Sequence, residues 1–169
     1  MKIYVAGPLF NEMERERNLE VERWLRRLGF DVHLPQKHGL VAELAAGAGA
    51  RAARRRIFES DVAALRECDV VLCLLDGPVP DDGMCVELGL AWALGKRCVG
   101  YRTDVRRHGQ TGDVNPMIEG CLAGLARTRA ELAGLLSEAA ATAPGGRRRP
   151  PAPRRTRAAA RRRSAPRRR

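Results

Sequence analysis

The chain has 169 residues, with 31 Lys and Arg against 20 Asp and Glu, a formal charge of +11, and aromatic residues at only 4%. From Arg147 onward it carries twelve arginines and no acid, so residues 1–146 by themselves sum to about −1. This length suits one domain with a sizeable core; no run of about 18 apolar residues marks a membrane span, and Met1-Lys2 leads into a strand-like run rather than a secretion signal. The expectation is a cytoplasmic α/β protein. Its five cysteines (Cys68, Cys73, Cys85, Cys98, Cys121) form no C-x-x-C pair and mostly sit in apolar runs, as buried free thiols of a reducing compartment do.

KIYVAGPLF opens the chain as a run of β-formers broken at Gly7-Pro8, the pattern of a buried parallel strand entering a loop. From Asn11 to Leu28 the apolar residues Met13, Leu19, Val21, Trp24, Leu25 and Leu28 fall at roughly helical spacing among charges, with Gly29 as the stop. FDVHLP reads as a second strand halted by Pro35. Gln36 to Ala50 reads as a loop followed by a helical piece, and Arg51 to Glu67 as a helix. DVVLCLLDG is a continuous apolar strand, buried on both faces. Asp81-Asp82-Gly83 introduces a helix, MCVELGLAWALG, ending at Gly95, and KRCVGYRT is a further strand. Residues 105–114 form a polar loop, while MIEGCLAGL and ARTRAELAGLLSEAA read as closing helices.

Strands alternating with helices imply a parallel sheet covered on both faces by right-handed crossovers. The fold class expected is α/β, a flavodoxin-like open parallel sheet of about five strands with its site at their carboxyl ends. Residues 1–140 form the catalytic domain, and residues 144–169 an Arg/Pro/Ala-rich tail with too little apolar surface to offset ordering entropy, hence disordered.

Dinucleotide, P-loop, G-x-S-x-G and zinc patterns are missing, and His33, His38 and His108 lie in separate segments, so those readings are weak. Carboxylates remain: Asp61, Asp69, Asp76, Asp81, Asp82 and Glu87 cluster around the central strand. Glu87 is almost the sole charge in an apolar helix, and a buried carboxylate is costly unless partnered. It reads either as an acid favoured by the helix macrodipole, behind an Asp81 or Asp82 cap, or as a catalytic group.

AGPLF, LPQKHG, Asp61 and Asp69 eight residues apart, DDGMCVELGLAWALGK and VNPMI, in that order over about residues 1–125, resemble the nucleoside 2-deoxyribosyltransferase family. The resemblance implies cleavage of the N-glycosidic bond of a 2'-deoxynucleoside and transfer of the deoxyribosyl group to another base by retaining double displacement. Glu87 matches the nucleophile, and Asp81, six residues earlier, matches the acid facing the base. Asp61 matches a second carboxylate of the pocket. One of these crowded carboxyls should have a raised pKa and donate a proton, with Asp82 taken as the helix cap. Tyr4 and Gly7 match positions lining the pocket, Gly7 because backbone must approach a ligand, and Gln36 matches a base-contacting amide. Asn115 matches an asparagine that reaches a neighbouring subunit's site, with Met117 beside it, so a homo-oligomer is implied. No metal or cofactor is implied. His38 departs from the acid expected at its position.

The tail also departs from the family. Its arginines would bind polyanions non-specifically by counterion release, and such ends equally arise as unselected extensions; its deletion is expected to leave turnover intact. Two other functions stay open: an N-glycoside hydrolase of nucleoside 5'-monophosphates, which would need Ser or Arg donors for the phosphate, and a non-catalytic nucleotide or nucleic-acid binding protein.

Overall fold

The computed structural model describes residues 1–37, 50–105 and 114–142. It contains one parallel sheet of five strands, β1 (Lys2–Ala6), β2 (Asp31–His33), β3 (Val70–Leu74), β4 (Arg97–Tyr101) and β5 (Gly124–Ala126), in the order β2-β1-β3-β4-β5. Interleaved with them are the helices α1 (Glu12–Arg27), α2 (Ala50–Glu67), α3 (Asp82–Ala93), α4 (Pro116–Cys121) and α5 (Arg129–Thr142). This is the flavodoxin-like strand order, whose direction reverses between β1 and β3 and opens a crevice at the carboxyl ends of those two strands.

The period of two along β1 divides the core. Ile3 and Val5 point to one face and join Leu72, Val99, Val21 and Leu25, with Leu132 and Leu136 of α5. Tyr4 and Ala6 point to the other and join Val71, Cys73 and Cys98, with Leu65, Met84, Leu88 and Ile118 from α2, α3 and α4. All five residues of β3 are buried, as its continuous apolar run requires of a strand covered on both faces.

Helix α1 starts at a full capping box: Asn11 accepts from the backbone N–H of Glu14, whose carboxylate takes the Asn11 N–H, so two of the orphan amides of the first turn are satisfied reciprocally. Its inward stripe is Asn18, Val21, Glu22 and Leu25. Met13 and Leu28, counted above with the apolar face, are exposed, because the true stripe runs along the line of Asn18.

The fifth strand is a correction. Gly124–Ala126 lies in a stretch read as helix, and only Pro116–Cys121 of MIEGCLAGL is helical. Three residues carry no period of their own; pairing of Val99, Gly100 and Tyr101 with Gly124, Leu125 and Ala126 makes the strand. Close packing selects the glycines at this edge: a Cβ on Gly124 would lie 2.7 Å from Leu135, and one on Gly100 would lie 2.8 Å from Leu122 and Leu125. The helical piece expected before Ala50, His38, most of the 105–114 loop and the tail from Pro144 lie outside the described residues. Among the described residues no helix is long and apolar enough to cross a membrane, and Cys68, Cys73 and Cys98 are buried, with Cys85 and Cys121 half-buried, all five thiols free.

Candidate active site

Glu87 sits in the second turn of α3, and its Oε1 accepts a 2.6 Å hydrogen bond from the hydroxyl of Tyr4. The two residues are 83 positions apart in the chain. They meet because β1 and β3 are neighbours and α3 packs on the face to which Tyr4 points. Tyr4 is fully buried, so its hydroxyl needs a partner, and the costly carboxylate in an apolar helix has one as well. Burial pushes the pKa of Glu87 up to about 7, and the nearby charges of Asp61 and Asp81 push the same way, while the Tyr4 hydrogen bond pulls it down. Tyr4 is itself held protonated by burial and by the adjacent Glu87. The carboxyl of the set that is held near neutrality is thus Glu87, the matched nucleophile, where a proton donor was expected.

Asp81 is the N-cap of α3, its Oδ2 accepting from the Met84 N–H at 2.7 Å. The cap expected at Asp82 therefore lies one residue earlier. Asp82 is the first helical residue and bonds the N–H of Gly83. Capping needs extended backbone, which Asp81 has at φ −61° and ψ 133°. Asp61, in the fourth turn of α2, is half-buried and close enough to act electrostatically on both Glu87 and Tyr4. Asp69 lies just before β3, at its amino end, and accepts from the Lys2 N–H; it belongs to the opposite edge of the sheet. Asp76, just past β3, takes the N–H groups of Thr103 and Asp104 and the Thr103 hydroxyl, tying the loops that follow β3 and β4.

Around this centre the expected lining residues have definite places. Gly7 follows β1, and a Cβ there would lie 2.9 Å from the Cβ of Leu74. A residue with no side chain is required there by the neighbouring strand. Gln36, in the 3-10 turn Pro35–Lys37, spends its amide on the chain: Oε1 accepts from Asn18 and Nε2 donates to the Arg15 carbonyl. Asn115 caps α4 through the N–H of Met117, and both residues are exposed, Met117 at 79%. Two residues escaped the sequence reading. His33 stacks on Tyr4 with ring centroids 5.1 Å apart. Asn18 is 4% exposed, and its polarity on the stripe Asn18, Val21, Glu22, Leu25 was the available signal.

A carboxylate steadied by a phenol, with two further carboxylates within electrostatic reach, at the crevice of a flavodoxin-like sheet, is equipped to attack an electrophilic carbon and to manage a proton on its leaving group. Among the described residues no His/Cys/Asp/Glu group could hold a metal ion. The family model for nucleoside 2-deoxyribosyltransferase matches residues 3–137. A 2-deoxyribosyltransferase from Bacillus psychrosaccharolyticus is 26% identical, with a TM-score of 0.66 over 80% of this chain and 96% of that one. A conserved protein from Enterococcus faecalis V583 is 25% identical, with a TM-score of 0.70 over 82% and 98%. A CMP N-glycosidase from Clostridium botulinum shares the fold at 17% identity, with a TM-score of 0.54 over 81% and 99%. No curated protein sequence matches significantly. The fold and site define an enzyme class that works on N-glycosidic bonds of nucleoside-like substrates. The chain belongs to the nucleoside 2-deoxyribosyltransferase family.

Proposed function

We propose that the protein transfers the 2-deoxyribosyl group between nucleobases, with Glu87 as nucleophile. The observation that carries this reading is the 2.6 Å Tyr4–Glu87 hydrogen bond at the crevice. It engages Oε1 and leaves Oε2 to attack C1' of a 2'-deoxynucleoside. As the C1'–N bond breaks, its electron pair goes to the base, whose nitrogen takes a proton relayed by Asp81 or Asp61 from Glu87, which holds one up to about pH 7 and gives it up to become the attacking carboxylate. The product is an ester between Glu87 and C1'. An incoming base then attacks C1', the ester bond breaks, the carboxylate is restored, and the proton of the attacking nitrogen returns to the same acid. Asp81 has an oxygen for this, since its cap uses Oδ2 alone.

Tyr4 and Gly7 line the sugar side, Gln36 stands on the rim toward the base, and Asn115 and Met117 reach the site of a neighbouring copy in a homo-oligomer. Their exposure in the single chain leaves both accessible to a neighbouring copy.

Nucleosides rather than 5'-monophosphates are the substrates. Of the first N–H groups of α3, the helix that carries Glu87, those of Met84 and Gly83 are already occupied by the carboxylates of Asp81 and Asp82. A phosphate there would meet two negative charges instead of free donors.

The test is chromatographic. Purified protein is incubated with several 2'-deoxynucleosides, with and without a second free base, alongside dCMP and dGMP, and the series is repeated with Glu87→Ala. New nucleoside formed only with acceptor base, and lost in the variant, is expected. Base released from the monophosphates without acceptor favours the hydrolase instead, and silence on every substrate favours the binding-protein reading.

A further inference from the structure

Asn18 is a buried amide on the inward stripe of α1, and its Nδ2 donates twice, to the Pro8 carbonyl at 2.8 Å and to Gln36 Oε1 at 2.9 Å. Gln36 Nε2 continues the chain to the Arg15 carbonyl at 3.0 Å. Backbone carbonyls only accept, so both amides have a fixed sense: turning either one would set oxygen against oxygen. One turn further along the same stripe, the buried carboxylate of Glu22 pairs with Lys37 and Arg26. Burial works to raise its pKa, and the two cations outweigh that and hold it lowered.

These contacts join segments that the chain leaves separate. Pro8 follows β1, which carries Tyr4, and the turn Pro35–Lys37 follows β2. The two strands pair, with Tyr4 opposite His33. Helix α1 thus ties the loop after β1 at Pro8 and the turn after β2 at Gln36 and Lys37 into one rim at the carboxyl edge. A leucine at position 18 would fill the same stripe without the cost of burying an amide, so packing alone gives no reason for asparagine there. A rigid rim does.

Resting on the transferase reading above, we infer that Asn18 is a positioning residue: through the Pro8 carbonyl and Gln36 it fixes the rim against which the acceptor base docks, and so sets whether the glycosyl-enzyme is taken by base or by water. A loosened rim leaves the ester formed but the acceptor misplaced, and misplacement near 1 Å costs about a hundredfold in a bimolecular step, whereas water needs no docking.

The experiment measures, at fixed acceptor base, the ratio of new nucleoside to free 2-deoxyribose. This ratio does not depend on how much enzyme is folded. Asn18→Leu is expected to lower it about tenfold or more, with base release from the donor retained. Gln36→Leu, at a partly exposed position, lowers it in the same direction and carries the test should Asn18→Leu not fold. The double variant adds little beyond either single change, as members of one network do. An unchanged ratio in both single variants, with only the melting temperature reduced, overturns the inference and leaves a structural strut. A wild-type enzyme that forms no new nucleoside overturns the transferase reading itself, and the inference with it.

Discussion

At the scale of single residues, the balance of forces on Glu87 makes two predictions. Its folded pKa of about 7 lies above the ordinary value of 4.5, so the folded state holds a proton that the unfolded chain releases. Stability is therefore unaffected below the unfolded pKa, falls as pH rises from there toward 7, and stays reduced above it. Glu87→Gln keeps an acceptor for Tyr4 and removes the penalty. It should stabilise the protein by up to about 3 kcal/mol near pH 8 and by almost nothing near pH 4, read by denaturant unfolding at each pH. Equal stabilisation at both would contradict a raised pKa. Tyr4→Phe removes the interaction that pulls the pKa down. The rising limb of kcat/KM, which reports ionisation of the free enzyme's nucleophile, should then move to higher pH. A limb at the wild-type position would show that Glu87 does not set it.

At the scale of elements, α3 carries the nucleophile and Asp81 begins it, so one side chain has two separable duties. Asp81→Asn keeps an N-cap acceptor and loses the acid; Asp81→Ala loses both. The alanine variant should lose about 1 kcal/mol of stability and the asparagine variant little, while both lose most turnover. Full turnover in Asp81→Asn would make Asp81 a cap alone. Much of this was legible in the chain. Continuous apolar runs marked β1, β3 and β4, and Glu87 stood out as a charge on an apolar helix. The partner of Glu87 was not legible, because only the adjacency of β1 and β3 brings Tyr4 to it from 83 residues away. The packing demand on Gly7 was hidden for the same reason, since it comes from Leu74 of β3. The strand Gly124–Ala126 was hidden because three residues without β-branching show no pattern until β4 pairs with them. The cap was displaced by one residue, because Asp81 and Asp82 are equally good cap residues and backbone conformation decides between them.

At the scale of the whole molecule, Asn115 and Met117 lie exposed at the start of α4, and the proposed homo-oligomer places them in a neighbour's site. Complementation checks this directly. Glu87→Ala and Asn115→Ala chains, each inactive, are dissociated, mixed in equal amounts and allowed to reassociate. If the two residues of one site come from different chains of a symmetric pair, random pairing restores about a quarter of wild-type activity. A mixture as silent as its components would place each site within one chain.

The central claim is that Glu87 becomes covalently glycosylated, and intact-mass spectrometry of enzyme quenched during turnover addresses it most directly. With a 2'-deoxynucleoside and no acceptor base, the account predicts a mass gain of one 2-deoxyribosyl group, mapped to the peptide containing Glu87, abolished in Glu87→Ala and discharged on adding a free base. Turnover with no adduct on that peptide, or an adduct that persists in Glu87→Ala, would contradict it.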